Sequence, residues 1–183
     1  MEKAMSAQRG PCTGPHYKAL ARFGEFCSCC CLPLLPQLTS SIDKTWSKPS
    51  KSCFLTDGMP FICGGYNGST YFDICYGYTP MSDSWEKIGT MPSGRAFSSY
   101  AFLEEYGLVM AGGSDEKVLG SYLDSVIMTK DGSTFETLDS LPTPSDGGCL
   151  TVVDGTTLLL SGGAGASYQA LSYNITTDTW TRY

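Results

Sequence analysis

A doubled glycine that returns at a nearly fixed interval limits this chain more than any other feature. It closes a run of small and apolar residues three times, in PFICGG at Gly64-Gly65, LVMAGG at Gly112-Gly113 and LLLSGG at Gly162-Gly163. The copies are 48 and 50 residues apart, so the chain carries a period near fifty. Other landmarks keep the same register. Counting from Trp85, Met91 lies six residues on, Pro92 seven and Gly112 twenty-seven; from Phe135 the same counts reach Leu141, Pro142 and Gly162. A large apolar residue stands seven positions before each closing aromatic: Tyr78 before Trp85, Met128 before Phe135 and Tyr173 before Trp180. Between them lie Asp, Ser, Thr, Gly, Asn and Pro, the residues with which a chain reverses between two strands.

A period near fifty with paired glycines and a late tryptophan resembles the kelch repeat, one four-stranded blade of a β-propeller. The resemblance covers residues 51–183, in units of about 51–90, 91–140 and 141–183, with residues 1–50 left as a disordered tail. It implies an all-β fold, a partial β-propeller of about three four-stranded kelch-type units. Strands are expected near 51–56, 59–63, 71–78 and 84–88; near 96–104, 106–111, 123–129 and 135–138; and near 148–153, 156–161, 169–174 and 179–182. The second strand of each unit is apolar and β-branched, as a strand buried on both faces should be. Gly64, Gly65, Gly112, Gly113, Gly162 and Gly163 then end the second strands, where positive φ and close backbone approach favour glycine. Trp85 and Trp180 are expected to pack between units. Phe135 and Met128 depart from the usual Trp and Tyr, so the middle unit is expected to pack less well than its neighbours.

Chemistry is hard to find in the residues. The sole histidine, His16, lies in the tail, so the repeats lack the residues for a Ser-His-Asp or Cys-His arrangement or a histidine-rich metal site. No GxxxxGK[ST] or GxGxxG surrounds the glycine pairs, and the carboxylate pairs Glu104-Glu105 and Asp115-Glu116 fall at strand ends or in loops, where such pairs are usually just solvated. The expectation is a protein without enzymatic activity, cofactor or metal. Residues 51–183 hold six Lys/Arg against fifteen Asp/Glu, a poor surface for nucleic acid or an anionic membrane.

What the resemblance implies is a binding platform. In kelch-like propellers the loops joining second to third strands, and each blade to the next, gather on one face and hold a protein partner. Carried onto this sequence, those loops are 66–70, 114–122 and 164–168, with Ser93, Gly94 and Arg95, then 143–147. Tyr66, Arg95, Tyr122 and Tyr168 are the candidate partner-binding residues, since Tyr and Arg combine contact area with directed hydrogen bonds. The family includes adaptors of cullin ubiquitin ligases and actin-binding proteins; no BTB domain precedes the repeats here. Because propellers use four to eight blades, three units imply either that further blades are missing from this sequence or that copies share blades in an oligomer.

The compartment is open between cytoplasmic and extracellular, with a lean toward the second. Cys63 ends one strand and Cys75 lies on the strand returning beside it, so a disulfide could pin them, or both could stay as small buried thiols. Both asparagines of the chain lie in sequons, Asn67-Gly68-Ser69 and Asn174-Ile175-Thr176, although the second falls in a reverse turn where such residues are expected anyway. In the tail, the apolar patch 26–38 is interrupted by two prolines and is shorter than the about 20 residues a bilayer span needs. Cys27, Cys29, Cys30 and Cys31 allow acylation, zinc binding or a loose oxidisable tail. Trp46 imitates the end of a repeat but sits eighteen residues before Gly64, where the other units take twenty-seven.

Overall fold

The structure, a computed structural model, describes residues 48–49, 54–56, 59–79, 81–115, 122–165 and 170–183. The expected disordered tail, its cysteine cluster and Trp46 lie outside the described residues, apart from Lys48–Pro49. Among the described residues there is no helix; all regular structure is antiparallel β, in three four-stranded sheets and one two-stranded pair.

The first sheet orders β2 (Phe54–Thr56), β3 (Met59–Cys63), β5 (Ile74–Thr79) and β6 (Ser84–Thr90). The second orders β7 (Ser99–Leu103), β8 (Gly107–Ala111), β9 (Val126–Thr129) and β10 (Glu136–Leu138), and the third β11 (Cys149–Val152), β12 (Thr157–Ser161), β13 (Ala170–Asn174) and β14 (Thr179–Arg182). Each is a meander, consecutive strands lying side by side. The two-residue strands β1 (Lys48–Pro49) and β4 (Gly65–Tyr66) pair with each other, so residues 48 and 49 belong to the first sheet's surroundings and not to the tail.

Alternation along the strands explains how the sheets stack. Phe61, Cys63 and Cys75 of the first sheet form one apolar cluster with Leu108, Met110 and Ile127 of the second, and Met91 from the connection joins them. The intervening residues of the second sheet, Ala101, Leu103, Val109, Ala111, Val126 and Met128, point the other way and pack on Leu150, Leu158, Leu160, Leu171 and Tyr173 of the third. Successive side chains of a strand leave on opposite faces, so the second sheet is clamped between two neighbours. β8 and β9 are accordingly buried along their whole length.

That arrangement corrects the expectation of a poorly packed middle unit. Phe135 packs against the cluster shared with the first sheet, and the loss of a tryptophan is offset by cover on both sides. The register of Met128 is also corrected. Trp85 pairs with Tyr78 and Trp180 with Tyr173, but in the second sheet Glu136 pairs with Met128, which sets Thr129 at the tyrosine position. The turn there is one residue shorter. Instead of a tyrosine hydroxyl reaching an aspartate, as Tyr78 reaches Asp83 at 2.6 Å and Tyr173 reaches Asp178 at 2.5 Å, the Thr129 hydroxyl accepts from the Gly132 amide at 2.9 Å.

Candidate functional site

The loops after the second strands and the loops between sheets meet at one end of each sheet, and the doubled glycines are what bring them together. The Gly65 amide donates to the Arg95 carbonyl at 2.9 Å, and the Gly113 amide donates to the Ser145 carbonyl at 2.9 Å. Returning bonds run from Arg95 N to Phe72 O and from Ser145 N to Leu123 O, each at 3.1 Å. Gly64 and Gly112 have φ 69 and 63, and a Cβ on either would overlap the carbonyl oxygen of Arg95 or Ser145. A side chain there would face both a disfavoured dihedral and a backbone already in place. Beyond each glycine pair the chain takes up pairing again: Tyr66 with Lys48, Ser114 with Ala96 and Ala164 with Asp146, always eighteen residues apart.

Each candidate residue has a definite place in this seam. Tyr66 is half-buried, its ring 4.5 Å from that of Tyr71, and its hydroxyl donates to Gly68 O at 2.6 Å. Tyr122 is half-buried, bridges to Ser114 and lies where a Cβ on Gly165 would strike its ring. Tyr168 lies outside the described residues. Arg95, expected on an exposed loop, is 1% exposed. Its guanidinium donates to Ser125 O at 3.3 Å, to Ser125 Oγ at 3.0 Å and to Ser93 Oγ at 3.3 Å. It therefore ties the loop between the first two sheets to the loop after β8 as a buried strut, which corrects its expected exposure. Burial pushes its pKa below the ordinary guanidinium value, with Tyr100 and Asp115 pulling the other way.

Four residues that the sequence reading passed over complete the seam. Tyr71 occupies in the first sheet the place of Tyr122 in the second; the loop after Gly112 is longer, which hides the equivalence in a plain count. Ser114 Oγ donates to Asp146 Oδ2 at 2.8 Å, joining the second sheet's loop to the connection leading into the third. Phe97 sits at φ 59 where the next repeat has Gly147 at φ 67, a match that aligning 93–99 with 143–149 would have revealed.

Away from the seam, Cys63 and Cys75 face each other in the β3–β5 register and are joined by a disulfide. The aligned pairs in the other sheets are Ala111 with Val126 and Ser161 with Ala170. Trp180 packs at the edge of the cluster between the second and third sheets, and its indole N–H donates to Asp139 O at 2.9 Å. Trp85 stacks on Tyr78 at 5.2 Å within the first sheet. Both sequon asparagines use their side-chain carbonyls in turns: Asn67 accepts from the amides of Ser69 and Thr70, Asn174 from those of Thr176 and Thr177. Among the described residues there is no group of three metal-ligating side chains and no helix long and apolar enough to cross a membrane.

No family model matches the chain, and no curated protein matches it significantly.

Proposed function

We propose that the chain is a non-catalytic protein-interaction module, a partial kelch-type propeller that holds a protein partner on the loop end of its sheets. The observation that carries this is the seam itself. Three four-stranded meanders stack in chain order, and the doubled glycines hold the loops of neighbouring sheets together at one end. A rigid scaffold that gathers loops of different sheets is the usual way a repeat fold builds a contact surface. Tyr66, Tyr71 and Tyr122 are half-exposed there, and tyrosine combines contact area with a directed hydrogen bond.

Cross-linking the full chain in a cell extract with a carboxyl-directed reagent tests the face. Partner cross-links should fall on Asp73, Asp124 and Asp146 at the loop end. Cross-links concentrated on Glu104, Glu105, Asp131 and Asp154 at the opposite end would refute the assignment.

The Cys63–Cys75 disulfide favours a second reading, a secreted propeller that binds an extracellular protein or glycan, because such bonds persist in oxidising compartments. The mass of the native protein with and without reductant and glycosidase decides between the two. A reductant-sensitive Cys63–Cys75 link with sugar on Asn67 or Asn174 supports secretion; two free thiols and bare asparagines remove it.

A further inference from the structure

Phe97 is unfavourable to the fold in two independent ways. Its φ of 59 lies in the left-handed region that bulky residues avoid, and the residue is 48% exposed. The neighbours over-determine this conformation. Ala96 pairs with Ser114 on one side, Ser98 Oγ donates to Gly112 O at 2.8 Å on the other, and Phe97's own carbonyl accepts from Gly147 N at 2.7 Å. The third sheet meets the same backbone requirement with Gly147. A phenylalanine here therefore gains neither a relaxed backbone nor burial, and strain combined with an exposed aromatic is the mark of a residue kept for a contact outside the chain.

The surroundings indicate what makes that contact. The Gly147–Phe97 hydrogen bond sets the Asp146-Gly147 peptide beside Phe97. Asp146 has Oδ2 engaged by Ser114, while Oδ1 has no hydrogen-bond partner among the described residues. Asp73 and Asp124 add negative charge to the loops at this end. Two basic residues at this end are already engaged: Arg95 is 1% exposed, and Arg182 of β14 donates to Pro142 O and Thr143 Oγ. An exposed aromatic residue next to the Asp146-Gly147 peptide, at an end where Asp73, Asp124 and Asp146 carry negative charge, is complementary to a guanidinium or ammonium group, which can lie over the ring and pair with the acid.

We infer that Phe97 and Asp146 form the anchor of a site for a basic segment of a protein partner, with an arginine or lysine side chain stacked on the phenyl ring. This rests on the reading of the loop end as the interaction face, and it goes beyond that reading in fixing the residue and the charge of the partner.

The test is selection of a random-peptide phage library on the full chain, followed by calorimetry with the enriched peptides as synthetic probes. Enriched sequences should contain arginine or lysine beside an apolar residue. Phe97→Gly should weaken their binding at least about tenfold, as expected for loss of a hot-spot aromatic, and Phe97→Tyr should keep it. The melting temperature of Phe97→Gly should be unchanged or raised, since glycine suits the dihedral, so weakened binding cannot be ascribed to misfolding. Asp146→Asn, which retains an acceptor for Ser114, should weaken the basic peptides and reduce the salt dependence of their binding. Peptides without basic residues, or peptides that bind Phe97→Gly as well as the unaltered chain yet lose affinity in Tyr122→Ala, overturn the inference while leaving the interaction face standing. No enrichment at all removes both.

Discussion

The second and third sheets are the same unit in two situations. β8 of the second sheet is buried at all five positions, whereas β12 alternates between buried and partly open residues and ends in exposed Ser161. The difference does not come from the inward faces. Leu158, Leu160, Leu171 and Tyr173 turn toward the second sheet much as Leu108, Met110 and Ile127 turn toward the first. It comes from the opposite face, where the second sheet carries Ala101, Val109, Ala111 and Met128 and the third carries Thr151, Leu159, Ser161 and Ser172. Hydroxyl residues replace apolar ones where no described element covers the sheet. A doubly apolar strand is thus a property of position in the stack, and the glycine repeat persists where the apolar pattern does not.

The sharpest way to break that comparison is at the equivalent glycines. Gly112 is enclosed by the Ser145 carbonyl, the Leu123 carbonyl and the Leu141 side chain, while no described atom lies within 4 Å of a Cβ built on Gly162. Both have positive φ, so valine at either carries the dihedral cost. Gly112→Val adds the overlap and should lose more than about 3 kcal/mol in urea unfolding, against about 1–2 kcal/mol for Gly162→Val. Equal losses would mean that the second sheet's loop yields easily and that the seam is not rigid.

A smaller effect separates the faces. Val109 is 0% exposed and its aligned residue Leu159 is only partly buried. Val109→Ala should cost about 2 kcal/mol and Leu159→Ala less than about 1, although leucine loses more atoms than valine. If the leucine substitution proves the costlier, the third sheet's outer face is covered in solution by something the described residues do not include.

Much of this was legible because glycine and proline act locally. The strands found lie inside or within one residue of the ranges the sequence sets at nearly every boundary, since the Gly-Gly stops and the turn residues fix where pairing can run. Arg95 was misplaced because a residue in a Ser-Gly-Arg loop looks exposed, and only the return of Ser125 from thirty residues away makes it an interior strut. Met128 was set one place off because a turn one residue shorter leaves the count to the aromatic looking intact while the pairing shifts. The importance of Phe97 depends on its φ and exposure together, neither of which composition carries.

The least perturbing contrast lies in the two turns that hold corresponding places in the second and third sheets. In the second sheet the turn is organised by Asp131, whose carboxylate accepts from the amides of Ser133 at 2.8 Å and Thr134 at 2.9 Å. In the third, Asn174 does the same work with a neutral carbonyl for Thr176 and Thr177. Partial burial pushes the Asp131 pKa up, but the Thr134 and Ser133 amides, with hydroxyl donors, outweigh it and hold it well below the ordinary carboxylate value. A depressed folded-state pKa means that the unfolded chain binds more protons in between. The stabilisation from this group is then complete above the unfolded carboxylate pKa of about 4 and is lost as pH falls from there toward the folded value. Stability measured by urea unfolding should therefore decline between about pH 4.5 and 2.5, and Asp131→Asn, which keeps the acceptor and removes the charge, should flatten the Asp131 share of that decline. Asn174→Asp should do the reverse, adding an acid-sensitive component to the third sheet's turn. An unchanged pH profile in both variants would show that these turns are set by backbone alone and that the side-chain carbonyl and carboxylate merely follow.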